Sequence, residues 1–473
     1  MDNNKKRPDK IKILLKLINV AVVVVFVATF SLYMLLAVRP KTSATESRKL
    51  ATFPDFSFST LFSGKYFNDI IYWYTDAAPN RDDMKKATVL MREKFGVTNT
   101  SDIIIVGPDV PGSDSSKDER PSEDEHPSKD DHSDTSVSEE SGDTSKDQSK
   151  DESSNTSTDT SKPPVDDDEF VSNNILIIGT RACEMFGGTY DAAKEFAMAV
   201  NAYKKDLGAS VNVYTMMIPS AGAFYMPPKV YDQYGGKQLD KLAYAQEKLD
   251  GVIPIDVFKA LESHKGEDIY YRTDHHWTPL GGYYAAEALA KAANLPFVPL
   301  SDYKKNGKYD SNGKPLPYLG SLYGLTQQAV LLKNPEEFKW YEYQGGYTIE
   351  FYSFDYKKLL KTRDNAFLTV SDSNTSAWYM TFMDGDNYSI KIKTNVKNGR
   401  KAIVFKDSYG NALVPMMLSS FEEIYTVDIR KFPLNAIKFI KDNGITDVVF
   451  GVCSYTVCGT NRKYINSMRT QNG

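Results

Sequence analysis

Charged residues disappear between Lys16 and Arg39, leaving an apolar run of 22 positions from Leu17 to Val38. As a helix rising 1.5 Å per residue it would span about 33 Å, enough to cross the hydrocarbon core of a bilayer. From Ile175 onward the pattern changes to short apolar runs separated by stretches with helical spacing. Ile175–Ile178, Val211–Ile218, Val252–Val257, Ala402–Phe405, Ile424–Val427 and Asp447–Phe450 read as strands. Apolar positions recurring every three to four residues predict helices over Tyr190–Leu207, Leu239–Leu249, Leu280–Ala293, Asn411–Leu418 and Asn435–Asp442. This alternation predicts a mostly parallel sheet with helices on both faces. Tyr347–Tyr352, Phe367–Val370 and Tyr388–Thr394, set apart by turn residues, predict hairpins added to that α/β core.

Residues 108–169 break the pattern. They contain no Phe, Tyr or Trp, and 21 acidic against 6 basic residues. Such a segment cannot bury enough apolar surface to offset the entropy of ordering, so it is expected to be disordered. Ile103–Val106 reads as a strand just before it and Ile175–Ile178 as one just after it. An insertion into a surface loop of one domain, formed by 45–107 and 170–473, fits better than a boundary between two domains. The formal charge of −5 over 473 residues therefore describes no part of the molecule, since the insert alone carries −15. Outside the insert and residues 1–44 lie 55 of the 58 aromatic residues, ample for a large core.

Residues 1–16 form a basic head with Lys5, Lys6, Arg7, Lys10, Lys12 and Lys16 against Asp2 and Asp9. The positive-inside rule leaves this head in the cytoplasm and the chain after Arg39 outside, with 17–38 as a transmembrane signal anchor. A cleaved signal peptide would have a shorter apolar region and a small-residue site, for which Ser43-Ala44 is a weak match. Cys183, Cys453 and Cys458 are too few for a disulfide-built domain; Cys453 and Cys458 either pair or remain free buried thiols.

Histidine chemistry has few places to be. Of five histidines, His126 and His132 fall in the insert, leaving His264, His275 and His276. The segment Tyr270-Tyr271-Arg272-Thr273-Asp274-His275-His276-Trp277-Thr278-Pro279 runs from a presumed strand end at Ile269–Arg272 into a helix. There Thr278 is the expected N-cap and Pro279 the first helical residue. An Asp two residues before a His can bend back to Nδ1, fix the tautomer and stabilise the imidazolium. A buried structural His–Trp turn is the alternative. Ser408, in Lys406-Asp407-Ser408-Tyr409-Gly410-Asn411, follows an apolar strand and precedes a helix. It thus stands where open α/β sheets place their sites and beside N–H groups able to hold an oxyanion, unless it is a plain N-cap. Taken with Asp274 and His276 it makes a Ser–His–Asp set the economical reading. Neighbouring side chains on an extended turn should diverge, so one histidine alone should face Ser408. Gly385, Asn387 and Tyr409 are the oxyanion or substrate candidates, with Asn387 offering a side-chain amide.

Those blocks resemble the bacterial DHHW family, which is similar in turn to the SGNH-hydrolase-like domains of alginate O-acetyltransferase proteins. Supporting segments are Glu46–Pro54, Ser63–Tyr66, Asp76 to Arg81, Ile218–Ala221 and Val427–Arg430. The resemblance implies a three-layer α/β/α SGNH-like fold. It also implies an Asp-x-His pattern falling on Asp274 and His276, a spacer role for His275, and Ser408 as nucleophile. Two departures stand out: Lys406 occupies the usual Gly position before Asp-Ser, and the first strand after the insert runs into Gly179-Thr180-Arg181 rather than Gly-Asp-Ser.

The function expected from this reading is a membrane-anchored extracytoplasmic serine O-acyltransferase or esterase acting on cell-envelope polysaccharide. No cofactor, metal or nucleic acid is expected. No later segment is long and apolar enough for a second span, so a transferase would need a multi-spanning membrane protein to deliver acyl groups. Two rivals remain. A metal phosphoesterase would need more Asp and His ligands than His264, His275 and His276 can supply. A non-catalytic glycan-binding or envelope-assembly protein would use the many tyrosines between 340 and 390 as a sugar platform.

Overall fold

The computed structural model describes residues 10–43, 48–62, 65–94, 103–106, 174–372 and 375–472. The expected disordered insert at 108–169 and the first nine residues of the basic head lie outside them. The apolar run forms α1 (Lys10–Leu36), whose side chains from Leu17 onward are almost all exposed. Among the described residues it is the one helix long and apolar enough to cross a membrane. A short helical turn at Phe58–Phe62 follows it, then α2 (Lys65–Asp76) and α3 (Arg81–Lys94). The strands flanking the insert do meet. β1 (Ile103–Val106) pairs antiparallel with β2 (Ile175–Ile178), which pairs antiparallel with β3 (Arg181–Glu184).

The main sheet uses β4 (Asn212–Ile218), β5 (Ile253–Ile255), β6 (Tyr347–Tyr352), β7 (Leu359–Arg363), β8 (Ser389–Thr394), β9 (Lys401–Lys406), β10 (Glu423–Asp428) and β11 (Asp447–Cys453). Its eight strands run in the order β7-β6-β8-β10-β9-β11-β4-β5. From β10 to β5 neighbours are parallel, and β8, β6 and β7 extend the sheet as antiparallel additions. Alternation along β9 shows why the layers form: Ala402 and Val404 enter one core, Ile403 and Phe405 the other. The first core is covered by α5 (Pro279–Ala293), through Tyr283, Ala286 and Leu289. The second is covered by α4 (Tyr190–Leu207) and α7 (Ala436–Asp442), through Phe196, Val200, Tyr203 and Ile440. Both faces of β4, β9, β10 and β11 are buried, which is what their unbroken apolar runs required.

Three expectations need correction. Phe367–Val370 is not a strand; Phe367 makes an isolated bridge to Phe382, and the hairpin partner of β6 is β7. β7 sits at the sheet edge with Leu359 and Leu360 exposed, so its sequence carries no clean alternation. Ile269–Arg272 forms no strand either: Tyr270 bridges Trp277 across a tight loop. The helix expected over Asn411–Leu418 is one α-turn, α6 (Gly410–Leu413), followed by a 3₁₀ turn at Val414–Met417. Pro415 has no N–H to continue an α-helix there.

Candidate active site

β9 delivers Lys406 to the carboxyl edge of the sheet, and the chain then turns through Asp407 and Ser408 into α6. Ser408 is not the cap of that helix. Asp407 Oδ1 accepts the Tyr409 N–H at 3.1 Å, and Oδ2 accepts the Cys453 N–H and the Thr456 hydroxyl, both at 2.8 Å. The buried carboxylate therefore ties the turn to the end of β11 and leaves the serine hydroxyl to others. Among the described residues the Ser408 N–H has no hydrogen-bond partner.

The Ser408 hydroxyl meets His276. Ser408 Oγ lies 2.8 Å from His276 Nε2, and Nδ1 of the same ring lies 2.7 Å from Asp274 Oδ1. Asp274 also accepts the His276 N–H on Oδ1 at 3.0 Å and the Ser321 N–H on Oδ2 at 2.8 Å. Burial alone would raise this carboxyl, but the charge and hydrogen bond of His276, His275 nearby and the Ser321 N–H hold it well below the usual range. Ser321 gets this close because residue 320 is glycine: a Cβ there would fall 2.4 Å from that of Asp274. One residue earlier, Glu336 accepts the N–H groups of Arg272 and Thr273 at 2.6 Å each, fixing the approach to the loop.

Packing locks the two halves of the site together. Thr278 caps α5 and Pro279 opens it, as expected. A Cβ on Gly282 of α5 would lie 2.6 Å from the Ala412 carbonyl of α6, so glycine permits the close approach of the two helices. Trp277 Nε1 donates to the Tyr409 carbonyl at 2.9 Å, and the Tyr409 hydroxyl donates to the His275 carbonyl. The hydroxyl, N–H and carbonyl of Tyr409 are thus all engaged within the protein, and its ring is buried.

The histidine rings do not diverge. Their centroids are 3.7 Å apart because the chain bends between them instead of running extended. His275 Nδ1 is 2.7 Å from Ser321 Oγ, while burial and then the neighbouring His276 push His275 down to about 3. Ligand atoms of Asp274, His275 and His276 lie within 4.8 Å of one another. Both nitrogens of His276 and both oxygens of Asp274 already have partners, so a cation bound through His276 would displace either the Asp274 or the Ser408 contact.

The Gly385-Asp386-Asn387 segment holds a different surprise. Asn387 is exposed and its amide donates to the Asp384 carbonyl at 2.8 Å, while Gly385 sits at φ +66° in the same turn. Among the described residues no hydrogen bond joins Asn387 to Ser408, His276 or Asp274. Asp386 between them accepts from Lys406 Nζ at 2.7 Å, Asn411 Nδ2 at 2.9 Å and Arg430 at 2.8 Å. Burial opposes its charge, yet Lys406 and Arg430 keep it ionised well below the usual range. Sequence reading missed this hub, although Lys406 inside an apolar strand was a signal that a buried counter-charge had to exist. It also missed Tyr379, which carries no local signature. No disulfide joins Cys183, Cys453 and Cys458, and all three are buried.

A family model described as DHHW protein matches residues 46–427. Among solved structures, a DHHW family protein from Eubacterium siraeum DSM 15702 is 40% identical, with 62% of this chain and 94% of that one covered and a TM-score of 0.56. Bacillus cereus PatB1 with a sulfonyl adduct is 20% identical over 61% of this chain and 97% of its own, with a TM-score of 0.50, a likeness of fold. The O-acetyltransferase domain of Pseudomonas putida AlgJ is 16% identical over 61% and 96% of the two chains, with a TM-score of 0.36. No curated protein matches the chain.

Proposed function

The chain belongs to the DHHW family, and from that premise we propose that it is a membrane-anchored, extracytoplasmic serine O-acyltransferase or esterase of cell-envelope polysaccharide. The carrying observation is the 2.8 Å contact of Ser408 Oγ with an imidazole whose other nitrogen is held by Asp274. Ser408 attacks an acyl ester while its proton passes to His276 Nε2. The Ser408 N–H supports the developing oxyanion. The leaving alcohol takes the proton from Nε2, leaving an acyl-serine. A sugar hydroxyl or water then returns a proton to Nε2, attacks the acyl-serine and regenerates the Ser408 hydroxyl. Asp274 remains ionised throughout and fixes the tautomer with Nδ1 protonated. For transfer, a multi-spanning membrane protein supplies the acyl groups, because the one span found among the described residues offers no route across the bilayer.

The test compares envelope O-acetyl content in cells carrying Ser408→Ala with the parent strain. Less acetate in the variant supports transfer, and more acetate supports an esterase. Unchanged acetate with normal levels of folded protein would overturn both.

A further inference from the structure

Outside the span itself, several large apolar side chains are exposed a short way after it. Phe53, Phe56, Phe58, Phe62, Phe67 and Ile71 are each 54–86% exposed. They are not scattered. Phe56 contacts the rings of Phe58 and Tyr66 with centroids at 5.4 Å, Tyr66 contacts Phe67 at 6.2 Å, and Phe53 meets Trp73 at 4.8 Å. Tyr66 and Trp73, two turns apart on α2, join these contacts into one face. A contiguous apolar surface of this kind marks something that covers it.

Arg39 fixes where this face lies. One guanidinium nitrogen donates to the carbonyl of Met34, in the last turn of α1, at 2.9 Å. Another donates to the carbonyls of Tyr74 and Ala77 at the end of α2, at 3.0 and 3.2 Å. The guanidinium also lies 4.2 Å over the Trp73 ring and 4.6 Å over Tyr74. Asn80 adds a second tie, donating to the Tyr33 hydroxyl at 2.8 Å. The aromatic face is thus latched to the residues with which α1 leaves the hydrocarbon.

We infer that α2 and the Phe-rich segment before it rest on the headgroup–acyl boundary of the membrane that α1 crosses. The inference depends on the anchored reading above. Aromatic rings and arginine gather at that depth because each presents an apolar body and a polar tip. A short helix with an aromatic face lies in that plane with its apolar side among the acyl chains. The Arg39 latch keeps the face beside the end of the span, which favours lipid over a second copy of the chain as its cover.

The full chain is reconstituted into phosphatidylcholine vesicles containing phosphatidylglycerol and shallow or deep doxyl-labelled lipid. An environment-sensitive fluorophore is placed on Phe67→Cys, on Phe62→Cys as a second probe should the first fold poorly, on Val27→Cys within the span, and on exposed Lys438→Cys. The three native thiols are buried. The expected result is at least twofold quenching at 67 and 62 by shallow quencher, at 27 by deep quencher, and none at 438. Quenching at 27 without 67 or 62 would overturn the docking and leave the anchor standing. Quenching nowhere would overturn both. Cross-linking between copies through 67 without quenching would make a second copy the occupant and overturn the proposal.

Discussion

The phenol ring of Tyr379 lies flat against the imidazole of His276, with centroids 3.6 Å and planes 5° apart, while its hydroxyl donates to the Ser408 carbonyl at 3.2 Å. One side chain thus holds both the proposed base and the backbone of the proposed nucleophile. Tyr379→Ala should lower kcat about 10–100-fold with KM changing far less, because the imidazole loses its stacking wall and a small misplacement is costly. Tyr379→Phe keeps the wall and should recover most of that loss. Steady-state hydrolysis of p-nitrophenyl acetate separates the two variants.

The paired histidines should have unequal effects although their rings touch. His276→Ala removes the group within reach of Ser408 and should reduce turnover by about 10³-fold or more. His275→Ala removes only a neighbour held by Ser321 and should cost about tenfold or less. Equal losses, or the larger loss at 275, would reverse the assignment.

Asp407 should matter for stability as well as rate. Asp407→Ala leaves the Cys453 N–H, the Tyr409 N–H and the Thr456 hydroxyl without their acceptor in a buried place. Each orphaned donor costs on the order of 1–3 kcal/mol. Urea denaturation should show a lower midpoint with an unchanged slope, accompanied by loss of activity from the untethered serine turn.

Much of this site is legible in the chain itself. The Asp274–His276 spacing, the capped helix start at Thr278-Pro279 and the strand-to-helix position of Ser408 are all local features, and local features survive in a sequence. The contact of His276 with Ser408, 132 positions further along, is not. Asp386, Tyr379, Ser321 and Glu336 reach the site through tertiary packing, and nothing beside them in the chain announces it. The expectation that adjacent histidines diverge failed for a related reason. It assumed an extended backbone, whereas Asp274 pulls the chain into a bend through the His276 N–H. The edge strand β7 was missed because an edge facing solvent need not alternate.

Glu184 gives a pH test independent of activity. Burial, followed by repulsion from Asp274, raises its carboxyl from the ordinary 4.5 to about 8. In the fold it keeps its proton at neutral pH, whereas the unfolded chain releases it near pH 4.5. Its contribution to stability is therefore full below about 4.5 and lost as the pH rises through about 8. Glu184→Gln cannot ionise, so its Tm should fall less steeply than that of the parent between pH 5 and 8. Parallel Tm profiles would show that Glu184 is not the source of the slope.

The central claim is that Ser408 is a nucleophile activated by His276. The most direct measurement is intact-mass and peptide mapping of the full chain in detergent after exposure to a fluorophosphonate probe. The account predicts a single adduct located on Ser408, absent from Ser408→Ala and formed about 10³-fold more slowly in His276→Ala. Folded protein that takes up no probe, or that labels equally well in Ser408→Ala, would contradict it.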